Sequence, residues 1–91
     1  MHGFHALVAV DLPEITEQQN RQFCEVLEGN NWTMVSKRSM IWRVSFRLHV
    51  RRMGAIRTIQ SSLHEAKKGC GVKYVEYAVQ MDVKEVVVAK A

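Results

Sequence analysis

The stretch Met40-Ile41-Trp42-Arg43-Val44-Ser45-Phe46-Arg47 decides how this chain folds. Apolar Met40, Trp42, Val44 and Phe46 alternate with Ile41, Arg43, Ser45 and Arg47. A period of two places the first set on one side of a β-strand and the second on the other. The strand therefore carries a core face and a basic face. Trp42 and Phe46 are expected under helices, with Ile56 and Leu63 turned toward the same sheet surface. The wider stretch, residues 37–57, holds seven basic side chains: Lys37, Arg38, Arg43, Arg47, Arg51, Arg52 and Arg57. No Asp or Glu occurs between Glu28 and Glu65.

The elements on either side follow from local signals. Residues 32–36 read as a strand, and Lys37, Arg38 and Ser39 as a turn, so this strand and the one beginning at Met40 should pair as an antiparallel hairpin. Upstream, residues 4–11 alternate Phe4, Ala6, Val8 and Val10 with His5, Leu7, Ala9 and Asp11. Both sides are largely apolar, which marks a central strand. Pro13 ends it, since proline has no N–H for a ladder. Thr16 and Gln19 have capping-box spacing, and Glu17 stands in the first turn, where a helix favours an anion. That helix should run to about Glu28, burying Phe23, Val26 and Leu27, with Gly29 as a left-handed stop.

Downstream, a second helix should begin between Leu48 and Met53 and end near Lys68. Ile56, Ile59, Leu63 and Ala66 form its apolar stripe, and Gly69 and Gly71 its stop. Residues 72–81 read as a fourth strand, with Val75, Tyr77, Val79 and Met81 on one face. The Val86-Val87-Val88 run reads as a short fifth. The order is β-α-β-β-α-β with an extra terminal strand. The expected fold is thus α+β, a ferredoxin-like split sandwich: one antiparallel sheet, strand order 4-1-3-2, with two helices on one face.

Length and composition bound the function. Ninety-one residues make one domain spanning 1–91, which buries roughly 60–65% of its unfolded surface. Hydrophobic residues at 47% and one Pro describe a globular chain. No apolar run reaches the ~18–20 residues of a membrane span, and the start lacks a signal-peptide pattern. Cys24 and Cys70 show no metal or redox spacing and suit a reducing compartment, so the expected location is cytoplasmic. The net charge is +4. Its layout is uneven: −4 over residues 1–28, +7 over 29–64 and +1 over 65–91. Such asymmetry points to an anionic partner, to solubility or to self-association.

The open face of the sheet should present His5, Leu7, Ala9, Ile41, Arg43, Ser45 and Arg47. An apolar surface with arginines suits nucleic acid. Leu7, Ala9, Val35 and Ile41 also form a patch suited to a homodimer. The exposed aromatic pair of single-strand RNA-binding sheets is missing, because Trp42 and Phe46 point to the core. Arg51 and Arg52 at a helix start oppose the helix dipole, an arrangement that fits an anion held by backbone N–H groups and guanidinium forks.

Other chemistry is sparse. Asp11 ends a buried strand and Glu14 follows three residues later. These two are candidate Mg²⁺ ligands, or Asp11 caps the first helix. His2 and His5 are a candidate amino-terminal metal site. His49 and His64 lack ligand spacing, and no nucleophile or phosphate-loop motif occurs. No cofactor is expected.

The run Leu7-Val8-Ala9-Val10-Asp11-Leu12-Pro13 is followed by a helix, a hairpin, a second helix and a terminal strand. This pattern resembles two groups of small ferredoxin-like proteins, the GhoS-type antitoxin endoribonucleases and the small CRISPR-associated integration and nuclease subunits. The resemblance implies a compact homodimer that handles nucleic acid. It also implies that Asp11 lies near the dimer axis as a metal ligand and catalytic candidate. This chain carries Glu14, not a second aspartate, just after it. The expectation is a small non-enzymatic binding module, associated with RNA through its basic surface. The alternatives are a protein-interaction or regulatory homodimer and a metal-dependent endoribonuclease.

Overall fold

β1 (His5–Asp11) is the strand on which the sheet is built, in a computed structural model that describes residues 3–12 and 14–83. Ala6 and Val8 are fully buried and Val10 nearly so, while Ala9 and Asp11 on the opposite side are exposed. Across one edge β1 pairs antiparallel with β3 (Ile41–Ser45), setting Leu7 against Arg43 and Ala9 against Ile41. Across the other it pairs antiparallel with β4 (Glu76–Asp82), setting Val8 against Val79 and Val10 against Tyr77. β2 (Thr33–Ser36) pairs antiparallel with β3. The order β2-β3-β1-β4 is that of the ferredoxin-like split β-α-β fold. The extra strand expected at residues 86–88 lies outside the described residues.

α1 (Glu17–Gly29) starts where its sequence signal stands. The Gln19 N–H donates to Thr16 Oγ1 at 3.1 Å, and the Thr16 N–H donates to Gln19 Oε1 at 2.9 Å. These bonds satisfy helix-end donors reciprocally, so Asp11 is not the cap. Phe23 and Leu27 drive fully buried side chains into the core. The stop differs from the expectation. Gly29 is the last helical residue, and the left-handed position is Asn31, at φ 67. Asparagine tolerates that conformation, and the Asn30 side chain donates to the Val26 carbonyl at 2.8 Å, closing the last turn.

α2 (Arg52–Cys70) packs against α1 and buries Ala55, Ile59, Ser62, Leu63, Ala66 and Cys70. Ile56 is only half-buried. The buried stripe is rotated to include the small residues Ala55 and Ser62. Gly69 remains helical, and Gly71 alone terminates α2, at φ 73.

The core follows the alternation at 42–44. Trp42 is fully buried, Val44 nearly so, and Trp42 meets Trp32 edge-to-face with ring centroids 6.4 Å apart. Met40 and Phe46, expected inside β3, lie just beyond it and are half-buried. Met40 takes a left-handed turn conformation at φ 50, while its carbonyl still accepts from the Val10 N–H at 3.0 Å. The Phe46 N–H donates to the Phe4 carbonyl at 2.9 Å. There Gly3 lies so close to the backbone of Phe46 and Arg47 that a Cβ would collide with it. β4 is shorter than expected at its start. Tyr77 and Val79 sit on its helix-facing side yet remain 41% and 36% exposed. The helices thus cover the central strands and leave Tyr77 and Val79 partly exposed. Among the described residues, no helix is long and apolar enough to cross a membrane.

Candidate functional site

The seven bases fall into separate places along the β2–β3–α2 half of the molecule. Lys37 and Arg38 occupy the β2–β3 turn, at one end of β3. Arg43 stands mid-strand on the open face, between Thr33 and Leu7. Arg47, Arg51 and Arg52 gather at the other end, where β3 hands over to α2. The Val50 N–H donates to the Arg47 carbonyl at 3.0 Å, folding this connection into a turn. Arg57 projects from the exposed side of α2. None of the seven makes an ion pair or side-chain hydrogen bond among the described residues. All except half-buried Arg43 are exposed.

The helix start is bare. Arg51 is the N-cap in extended conformation, with φ −80 and ψ 158, and it makes no side-chain cap hydrogen bond. The first turn of α2 holds no acid. Its leading N–H groups therefore point outward beside Arg51 and Arg52 with no side-chain acceptor. Near Arg43 the open face sinks into a hollow of about 240 Å³, lined by His5, Asn31, Thr33, Arg43 and Ser45. His5 Nδ1 and Ser45 Oγ are hydrogen-bonded at 2.9 Å.

The open face is basic on one half only. β4 brings Glu76, Ala78, Gln80 and Asp82 to it, and β1 brings Asp11. Its apolar side chains Leu7, Val35 and Ile41 are half-buried, so the patch expected to drive dimerisation is small. The large exposed apolar residues are elsewhere: Tyr74, Tyr77, Val79 and Val83 around β4, and Leu48 and Met53 beside the start of α2. No Phe, Tyr or Trp stands on the open face of β1 or β3, as the alternation requires.

Asp11 and Glu14 are not brought together. Asp11 lines a cleft of about 440 Å³ with Thr16, Glu17, Lys37 and Arg38. Glu14 lines another with Gln19, Lys73 and Tyr74. The carboxylate that faces Asp11 is Glu76, its register partner across β1 and β4. Only the strand register could have found it, since 65 positions of sequence separate the two. Two opposed carboxylates weaken a strand end slightly, by roughly 0.2–1 kcal/mol. They supply two oxygen ligands, but among the described residues no group of three or more His, Cys, Asp or Glu is placed to hold a metal ion. His2 lies outside the described residues, and His49 and His64 are exposed. Burial pushes the Cys24 thiol above its ordinary value, with Glu28 adding to the effect and Lys37 opposing it. Cys24 and Cys70 are free thiols.

No protein-family model, curated protein or solved structure matches this chain.

Proposed function

We propose that this protein is a non-enzymatic binding module for nucleic acid, RNA in the first instance, acting through backbone phosphates. The observation that carries the reading is the set of seven bases in a run of sequence with no acid between Glu28 and Glu65, none of which makes an ion pair or side-chain hydrogen bond among the described residues. Unpaired positive side chains on one half raise the local potential and draw a polyanion toward it. The bare N-terminus of α2 adds backbone donors and a positive dipole end beside Arg51 and Arg52. With no aromatic platform, recognition falls on phosphate and is tolerant of sequence. The two free thiols suit a reducing compartment, which favours a cytoplasmic setting.

Anisotropy titrations of mixed-sequence RNA and DNA across a salt series test this. Affinity should fall steeply with salt. Replacing Arg51 and Arg52 with Ala should weaken all sequences alike and reduce the slope of log affinity against log salt by roughly 1.4–2, one phosphate contact per arginine. A parent protein that binds neither polymer at low salt would refute the reading.

A second reading, a homodimer, is favoured by the exposed edge strand. Among the described residues β4 is an edge of the sheet and presents Tyr77 and Val79 to solvent on its inner side, and unpaired edges recruit strands. We infer antiparallel pairing of β4 with β4 of a second copy, centred on Ala78. That register sets Tyr77 against Val79 and Glu76 against Gln80, whereas centring on Val79 would oppose Glu76 and Asp82. This surface leaves the basic half free, so the two readings are compatible.

A further inference from the structure

Arg43 is unlike the other six bases. They are exposed, and it is half-buried in the middle of β3. No acceptor among the described residues takes its guanidinium. Drawing a charge part-way out of water without a partner costs free energy, and chains normally pair such a group. Here the guanidinium lines a hollow whose other walls are His5, Asn31, Thr33 and Ser45. No carboxylate lines it.

We propose that this hollow is a subsite for one tetrahedral oxyanion, and that the oxyanion is a backbone phosphate of the bound nucleic acid. The source of the phosphate rests on the proposed function; the chemistry of the hollow does not. The guanidinium offers a planar fork of N–H donors that matches two oxygens of a phosphate at once. Thr33 and Asn31 each bring further donors. Ser45 is set by its neighbour. When His5 carries its proton on Nδ1, the imidazole donates to Ser45 Oγ across the 2.9 Å bond. The serine proton is then left for the oxyanion. Arg43 stands two residues before the end of β3, and Arg47 follows in the connection to α2, with Arg51 and Arg52 at the helix start. An anchored phosphate at Arg43 would thus fix where the strand enters, while the exposed bases attract it without fixing its place.

The test pairs inorganic phosphate with mixed-sequence RNA on the intact chain. In ¹⁵N NMR, phosphate should shift the Arg43 Nε–H and the Thr33 and Ser45 amides with saturation. Arg43→Gln should weaken that saturation at least tenfold. It should also lower the RNA salt slope by about 0.7, the value for one single-strand phosphate. Arg43→Lys should restore the slope but not the tight phosphate site, because a point charge lacks the fork. Should Arg43→Gln melt the fold, Thr33→Val removes one donor from the rim and should still weaken phosphate several-fold. Unchanged RNA affinity and slope in Arg43→Gln, with the parent binding RNA, would overturn the subsite and leave the proposed function standing. So would phosphate shifts that stay linear and centre on Arg47, Arg51 and Arg52. Saturable phosphate at Arg43 in a protein that binds no RNA would overturn both the strand as ligand and the proposed function, leaving free phosphate.

Discussion

Gly3 shows how much one hydrogen atom in place of a methyl group can decide. Its backbone lies against that of Phe46 and Arg47, and a Cβ would strike the Arg47 carbonyl. Backbone cannot step aside as a flexible side chain can. Gly3→Ala should therefore cost about 1–3 kcal/mol, read as a lower denaturant midpoint at unchanged slope. A change near zero would show that the chain before β1 is not held there. Residues whose local chemistry matches their role were readable in advance: Thr16 and Gln19 as a capping box, Trp42 as core, Gly71 as a helix stop. Asn31 and Met40 were not. A left-handed non-glycine residue costs roughly 1–2 kcal/mol, and only the packing around it shows that this cost is met. The half-burial of Arg43 was equally hidden, because it depends on what β1 and β2 place beside it.

At the scale of the element, α2 begins in a way that serves a ligand better than the helix. Arg51 holds the N-cap position without capping it, and the first turn lacks an acid. Arg51→Asp should supply the missing cap, with a negative charge at the positive end of the helix, and raise stability by about 1 kcal/mol. The same change should weaken RNA binding and flatten its salt dependence. Opposite signs in the denaturation midpoint and the affinity are the expected outcome. Loss of stability together with unchanged binding would contradict the placement of Arg51 at the anion. Apolar period and glycines marked the existence of both helices in the sequence. Their faces were less legible: the buried stripe of α2 runs through Ala55 and Ser62, while Ile56 is only half-buried.

For the molecule as a whole, the strand order was legible because a doubly apolar first strand belongs in the centre of a sheet. The charge map was not, because it depends on register. Glu76 and Asp82 reach the open face from β4, far along the chain from the arginines, and turn a basic face into a divided one. The same strand decides assembly. Sedimentation at tens of micromolar should give about twice the 10.5 kDa chain mass. Val79→Lys should return the mass to one chain while leaving the fold intact, since Val79 lies on an exposed edge. A parent protein that sediments as a single chain would rule out pairing through β4.

The paired indoles divide the molecule's ultraviolet signal by depth. Trp32 and Trp42 are 3% and 0% exposed, set edge to face, and the Trp42 indole N–H has no acceptor among the described residues. Tyr74 and Tyr77 stand in solvent around β4. Tryptophan emission therefore follows the integrity of the interior, and tyrosine emission follows the state of one sheet edge. A titrant that dims the tryptophans has loosened the protein from within, however much it resembles an occupant of the basic surface.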